Sequence, residues 1–149
     1  MWSELRRVAR MPGSRRRLLG EALLALLMAR GAMAFLPFRR IAVWLGTPGA
    51  ETPATATAEE IQKAQEVGWA VSAVARRVPW DGRCLAQALA ATGMLRRRSL
   101  EGTVSFGAGQ GESAEFAAHA WLRLGPCIVT GGAGYERFKI ITTFARRRP

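Results

Sequence analysis

A chain of 149 residues with 49% apolar content is long enough for one domain with a real core. Its formal charge of +11, from 22 basic and 11 acidic residues, points to an anionic partner, yet zinc-ligand spacing, a ribonucleoprotein aromatic motif and a basic zipper are all missing. That argues against nucleic acid and leaves an acidic peptide, an acidic protein or a membrane surface; two cysteines, Cys84 and Cys127, argue against a disulfide framework.

The basicity is clustered. Residues 1–40 hold nine arginines against Glu4 and Glu21, and Arg96-Arg97-Arg98 form a second group. Residues 1–17, broken by Pro12-Gly13, predict a frayed or weakly helical start. Leu18 to Leu36 is apolar nearly all round and stops at Pro37, which reads as a core or docking helix. The span is long enough to cross a bilayer, but Glu21 and Arg30 within it weigh against that. No small-residue cleavage site ends it, so a secretory signal is not expected and a cytoplasmic location is.

Phe38 to Leu45 predicts a short helix, and 46–56 a linker rich in Gly, Thr and Pro. Thr57-Ala58-Glu59-Glu60 is a capping box, and Ile61, Ala64, Val67, Val71 and Val74 then recur at helical spacing through residue 77. Asp81 is a candidate cap for a helix from about Gly82 to Arg97, whose buried stripe runs through Leu85, Ala88, Leu89, Thr92 and Leu95. Four strands follow, over 102–107, 116–124, 127–130 and 138–144, with the glycine loop 131–134 before the last. Helices first and strands last predict an α+β domain: N-terminal helices, then a cysteine-bearing helix packed on a small antiparallel sheet. The expected organisation is a basic, Leu-rich segment with its linker over 1–56 and the functional core over 57–149.

Cys84 falls in the opening turn of its helix, where free N–H groups and the positive dipole end favour thiolate over thiol. The plain alternative is a small buried hydrophobe. His119, the sole histidine, lies on the second strand, with Trp121 two residues on and therefore on the same face. Alone it reads as a satisfied core histidine; together with Cys84 it forms the layout of a thiol nucleophile and its base. Cys127 reads as core.

The string Val78-Pro79-Trp80, Cys84-Leu85-Ala86-Gln87-Ala88-Leu89, Met94-Leu95-Arg96-Arg97, Phe106-Gly107, Ala118-His119-Ala120-Trp121 and Val129-Thr130-Gly131-Gly132 resembles the protease part of the lasso-peptide biosynthesis B proteins, a transglutaminase-like, papain-related family. The resemblance spans roughly residues 18–144. It implies a transglutaminase-like core and a cysteine endopeptidase that removes the leader from a ribosomally made precursor. A separate ATP-dependent lasso cyclase then closes the ring, and a separate leader-binding protein delivers the precursor. No cofactor or metal is implied.

By the same resemblance, Cys84 is the nucleophile and His119 the general base. The family's acid, about a dozen residues after the histidine, would fall at Thr130 or Gly131, and neither is an acid. Thr130 Oγ, a backbone carbonyl or Glu136 folded back are the candidate orienters of the imidazole. Trp80, Gln87 and Trp121 are expected to support the site, Trp80 or Gln87 beside the oxyanion and Trp121 packed on the Cys–His pair. The competing expectation is a degenerate domain that binds precursor and cyclase without cleaving.

Overall fold

The computed structural model describes residues 1–79, 84–111, 113 and 115–146. Five helices come first: α1 (Trp2–Ala9), α2 (Gly13–Phe35), α3 (Phe38–Leu45), α4 (Ala58–Ala75) and α5 (Cys84–Arg97). A two-residue strand, β1 (Thr47–Pro48), lies between α3 and α4. After α5 come β2 (Thr103–Gln110), β3 (Phe116–Leu124) and β4 (Cys127–Thr130), then a 3-10 turn (Tyr135–Arg137) and β5 (Phe138–Ala145). The α+β reading holds.

Local chemistry sets most of these boundaries. Thr57 Oγ1 accepts from the Glu60 amide at 3.2 Å, and the Glu60 carboxylate accepts from the Thr57 amide at 3.0 Å, so the capping box opens α4. Pro37, which cannot donate to the ladder of α2, separates it from α3. After α5 the chain reverses in a tight turn, with the Leu100 amide bonded to Leu95 carbonyl at 2.9 Å and Ser99 in the left-handed region. The expected Asp81 cap and the Gly82 start of that helix lie outside the described residues.

The sheet is antiparallel throughout in the order β1-β5-β2-β3-β4. β2 and β3 pair without interruption, Val104 opposite Leu122 and Gly107 opposite His119. Strand alternation then sorts the side chains into two faces. Val104, Leu122, Leu124 and Phe144 turn to the helices and join Leu26 of α2, Ile41 and Leu45 of α3, Val67 and Val71 of α4, and Leu89, Met94 and Leu95 of α5 in one core. His119, Trp121 and Arg123 lie on the other face.

A strap formed by residues 50–56 covers one end of that outer face. Thr52 amide donates to Thr103 Oγ1 at 2.9 Å, Thr143 Oγ1 donates to Ala50 carbonyl at 2.9 Å, and Arg123 donates to the carbonyls of Thr52 and Pro53. The segment expected to be a linker is thus bonded to the sheet, and β1 within it pairs with β5.

Two further expectations take definite form. Of the two starts expected, frayed or weakly helical, residues 2–9 take the helical one. The Leu-rich helix buries only Ala22, Leu26 and Ala29, because α4 and α5 pack on one stripe of it and its other sides remain open. Through that stripe the hydrophobic core runs continuously across residue 57.

Candidate active site

Cys84 is the first described residue of α5, half-buried and free. The helix behind it is unusually rich in alanine at buried positions (Ala86, Ala88, Ala90 and Ala91), which lets α5 sit close between α2, α4 and the strands β3 and β4. The amide groups of a helix's first turn have no partner within the helix, so a thiolate at this end has donors close by. Among the described residues Cys84 Sγ has no hydrogen-bond partner. Gln87, one turn further on, is half-buried on the same side of the helix; Trp80 lies outside the described residues.

His119 occupies an aromatic cradle on the outer face of the sheet. Its ring stacks against Trp121 at 5.8 Å between centroids and against Phe138 at 4.9 Å, and Trp121 in turn meets Tyr135 at 5.7 Å. Gly107, directly opposite His119, makes room for this: a Cβ there would lie 2.9 Å from the Trp121 ring. Trp121 is buried, so its indole forms a fixed wall for the imidazole.

One polar contact orients the ring. His119 Nε2 lies 2.7 Å from the carbonyl oxygen of Gly131. A carbonyl only accepts, so Nε2 carries the proton, and in the neutral imidazole Nδ1 is then the basic nitrogen. This is the tautomer that a general base acting through Nδ1 requires.

Of the three orienters expected, Thr130 Oγ, a backbone carbonyl and Glu136, Thr130 is not in position. It pairs with Leu122 and therefore faces the helices, whereas His119 faces away from them. Its Oγ1 is the one side-chain polar atom among the described residues that is buried without a hydrogen bond. The neighbouring residue supplies the contact through its backbone instead. Gly131, at φ +74°, turns the chain out of β4 so that its carbonyl meets the imidazole. No carboxylate can replace it there without backbone movement, since a Cβ at Gly131 would lie 2.5 Å from Ala120 carbonyl oxygen and 2.9 Å from Trp121 Cβ. Glu136 is exposed on the 3-10 turn and makes no hydrogen bond to His119.

The fold thus brings His119, Trp121 and the Gly131 carbonyl together, but it does not join them to Cys84 by a hydrogen bond. The thiol belongs to the helix layer and the imidazole to the outer face of β3. Sequence reasoning had no side-chain signal for Gly131, Tyr135 or Phe138; the glycine-rich run 131–134 was the only sign that the backbone there adopts unusual angles.

The second arginine cluster turns out to be structural. Arg96 donates to the carbonyls of Trp44 and Leu45 and to Glu101, while Arg98 holds Glu21 through two bonds of 2.9 and 2.8 Å. Cys127 packs against the core, and burial pushes its thiol pKa up. Among the described residues no three His, Cys, Asp or Glu side chains are grouped as metal ligands.

Residues 23–143 match the family described as the transglutaminase-like superfamily. No curated protein and no solved structure matches the chain.

Proposed function

The chain belongs to the transglutaminase-like superfamily, and on that footing we propose that it is a cysteine endopeptidase that cuts the leader from a ribosomally made lasso-peptide precursor. The observation that carries the proposal is the oriented imidazole of His119. Its Nε2–H is committed to Gly131, and Nδ1 is left to act on a thiol. The thiol assigned to it is Cys84, at the start of α5.

In this reaction His119 Nδ1 takes the proton from Cys84 Sγ as the thiolate attacks the scissile carbonyl carbon. The carbonyl oxygen becomes an oxyanion, and in this proposal the amide of Cys84 donates to it. The imidazolium returns its proton to the leaving nitrogen, the C–N bond breaks, and a thioester remains on Sγ. Water, deprotonated by Nδ1, then releases the leader's new carboxylate. The core peptide leaves with a free N-terminus, the group an ATP-dependent cyclase needs to close a ring. The precursor's leader reaches this site through a separate leader-binding protein.

Attack requires Sγ and Nδ1 to approach within about 3–3.5 Å, and because the thiol belongs to the helix layer and the imidazole to the outer face of β3, the proposal requires the start of α5 and β3 to shift together when substrate binds. A neutral carbonyl behind the histidine stabilises the imidazolium less than a carboxylate would, so turnover is expected to be slow.

The test is to incubate the protein with precursor and leader-binding partner and read product masses. Cleavage that Cys84→Ala and His119→Ala each abolish supports the proposal; undiminished cleavage by Cys84→Ala sinks it. The lack of a Cys84–His119 hydrogen bond, and of a carboxylate bonded to His119 among the described residues, favours a second reading, a domain that presents precursor to the cyclase without cutting. That reading predicts precursor binding with no new mass.

A further inference from the structure

We infer that α1 and the outward stripe of α2 dock the protein onto a lipid surface rich in anionic headgroups, with both helices lying in the plane of the interface. α2 has the length and apolarity to cross a membrane, its 23 residues spanning about 35 Å. The packing shows why it lies flat instead. Ala22, Leu26 and Ala29 are sealed in the core, and Glu21 is tied to α5 by the two Arg98 bonds and by Arg97 at 3.3 Å. Crossing a bilayer would break those bonds and strip the core.

The opposite side of α2 presents Leu24, Met28 and Phe35, which are 57%, 67% and 88% exposed and recur at helical spacing. α1 adds Trp2 and Leu5, 76% and 57% exposed, on one face of its own. Side chains of this size, outward over two successive helices, are more than the scattered apolar residues of an ordinary surface.

Charge identifies the occupant. Arg6 and Arg7 sit on α1, Arg16 and Arg17 open α2, and Arg39 and Arg40 follow its end; none of the six has a carboxylate partner among the described residues. The two acids of residues 1–40 are already engaged, Glu4 with Arg77 and Glu21 with α5. An apolar stripe with unneutralised arginines at both ends matches a bilayer interface, with acyl chains under the leucines and phosphates around the guanidiniums. A second copy of the chain would bring two such arginine sets together, and like charges oppose that pairing.

The experiment is sedimentation of the full chain with vesicles of phosphatidylcholine alone and of phosphatidylcholine mixed with phosphatidylglycerol. Binding is expected to the mixed vesicles and to weaken as salt rises. Leu24→Glu/Met28→Glu, which alters only exposed positions, should lower the bound fraction about tenfold while leaving the melting temperature in place. Arg16→Gln/Arg17→Gln should lower it by a similar factor on mixed vesicles alone. Failure of the unaltered protein to sediment with mixed vesicles would overturn the inference. So would full binding by the Leu24/Met28 variant, or self-association in the ultracentrifuge that this variant abolishes.

Discussion

The hydrogen bond from His119 Nε2 to Gly131 makes one glycine carry two roles, the positive-φ turn out of β4 and the acceptor that sets the tautomer. Gly131→Ala is therefore predicted to cost about 1–3 kcal/mol of stability, because an L-residue is strained at this φ and its Cβ would press on Ala120. Urea unfolding measures that loss. Cleavage of precursor should fall by more than the folded fraction does, since the carbonyl moves off the imidazole; activity that simply tracks stability would show that the contact is only structural. Gly131→Asp is not expected to install a working carboxylate, for the same steric reason. Part of this was legible in the sequence: the spacing from His119 pointed to position 130 or 131, and a backbone carbonyl was one of the three orienters it left open. Which of the three is used was not, because a backbone carbonyl has no residue signature, and the glycine that aims it reads only as a turn.

Burial of the second thiol also gives a prediction at this scale. Burial raises the Cys127 pKa, so its thiolate is scarcer in the folded than in the unfolded protein at the same pH. In a Cys84→Ala background, iodoacetamide is predicted to modify Cys127 slowly at neutral pH and to reach the unfolded rate only in denaturant or at higher pH. Mass measurement over time checks it; equal rates in both states would contradict the burial argument.

Between elements, the informative contact is Glu21 with Arg98, which joins α2 to the end of α5. The hydrogen bond to Arg98, partly offset by burial, holds the Glu21 carboxyl below its ordinary pKa, and the same bond raises Arg98. A carboxyl depressed in the folded state stabilises at pH values above its unfolded pKa, and loses that contribution as pH falls through the folded value. Glu21→Gln should therefore lower stability at neutral pH by about 1–2 kcal/mol, with side chains that are 17% and 27% exposed. The difference should close as the pH is taken into the acid range. Thermal melts of both proteins across pH test this, and a gap independent of pH would mean packing loss rather than charge. Local signals placed the elements well: the capping box at Thr57 is made as written, and the strands 116–124 and 127–130 have the boundaries that apolar alternation implied. The Glu21–Arg98 pair joins positions 77 apart, and nothing local in either position marks the other. β1 was hidden for a similar reason, since two residues make a strand only because β5 pairs with them.

At the scale of the whole molecule, the question is where the folding unit ends. Composition suggested a break near residue 57, because a threonine- and proline-rich linker ends there. The core ignores that line. Ala22, Leu26, Ile41 and Leu45 on one side of it pack with Val67, Leu89, Met94 and Leu122 on the other, and α2 lies against both α4 and α5. The strap of residues 50–56 also satisfies Thr103, Arg123 and Thr143 on the outer face of the sheet. A fragment of residues 57–149 would lose both, exposing apolar area that small domains cannot spare. It is predicted to show no cooperative thermal transition and to bind the apolar dye ANS. Removing residues 1–11 is the control. No residue of α1 is buried, and the exposed Arg77–Glu4 contact at 3.4 Å ties it to the end of α4. That shorter truncation should melt cooperatively within a few degrees of the full chain, an exposed ion pair contributing about 0–1 kcal/mol. Circular dichroism melts of the two truncations separate the cases. A cooperative 57–149 fragment would make the N-terminal helices an appendage, and failure of the shorter truncation to fold would extend the core to α1.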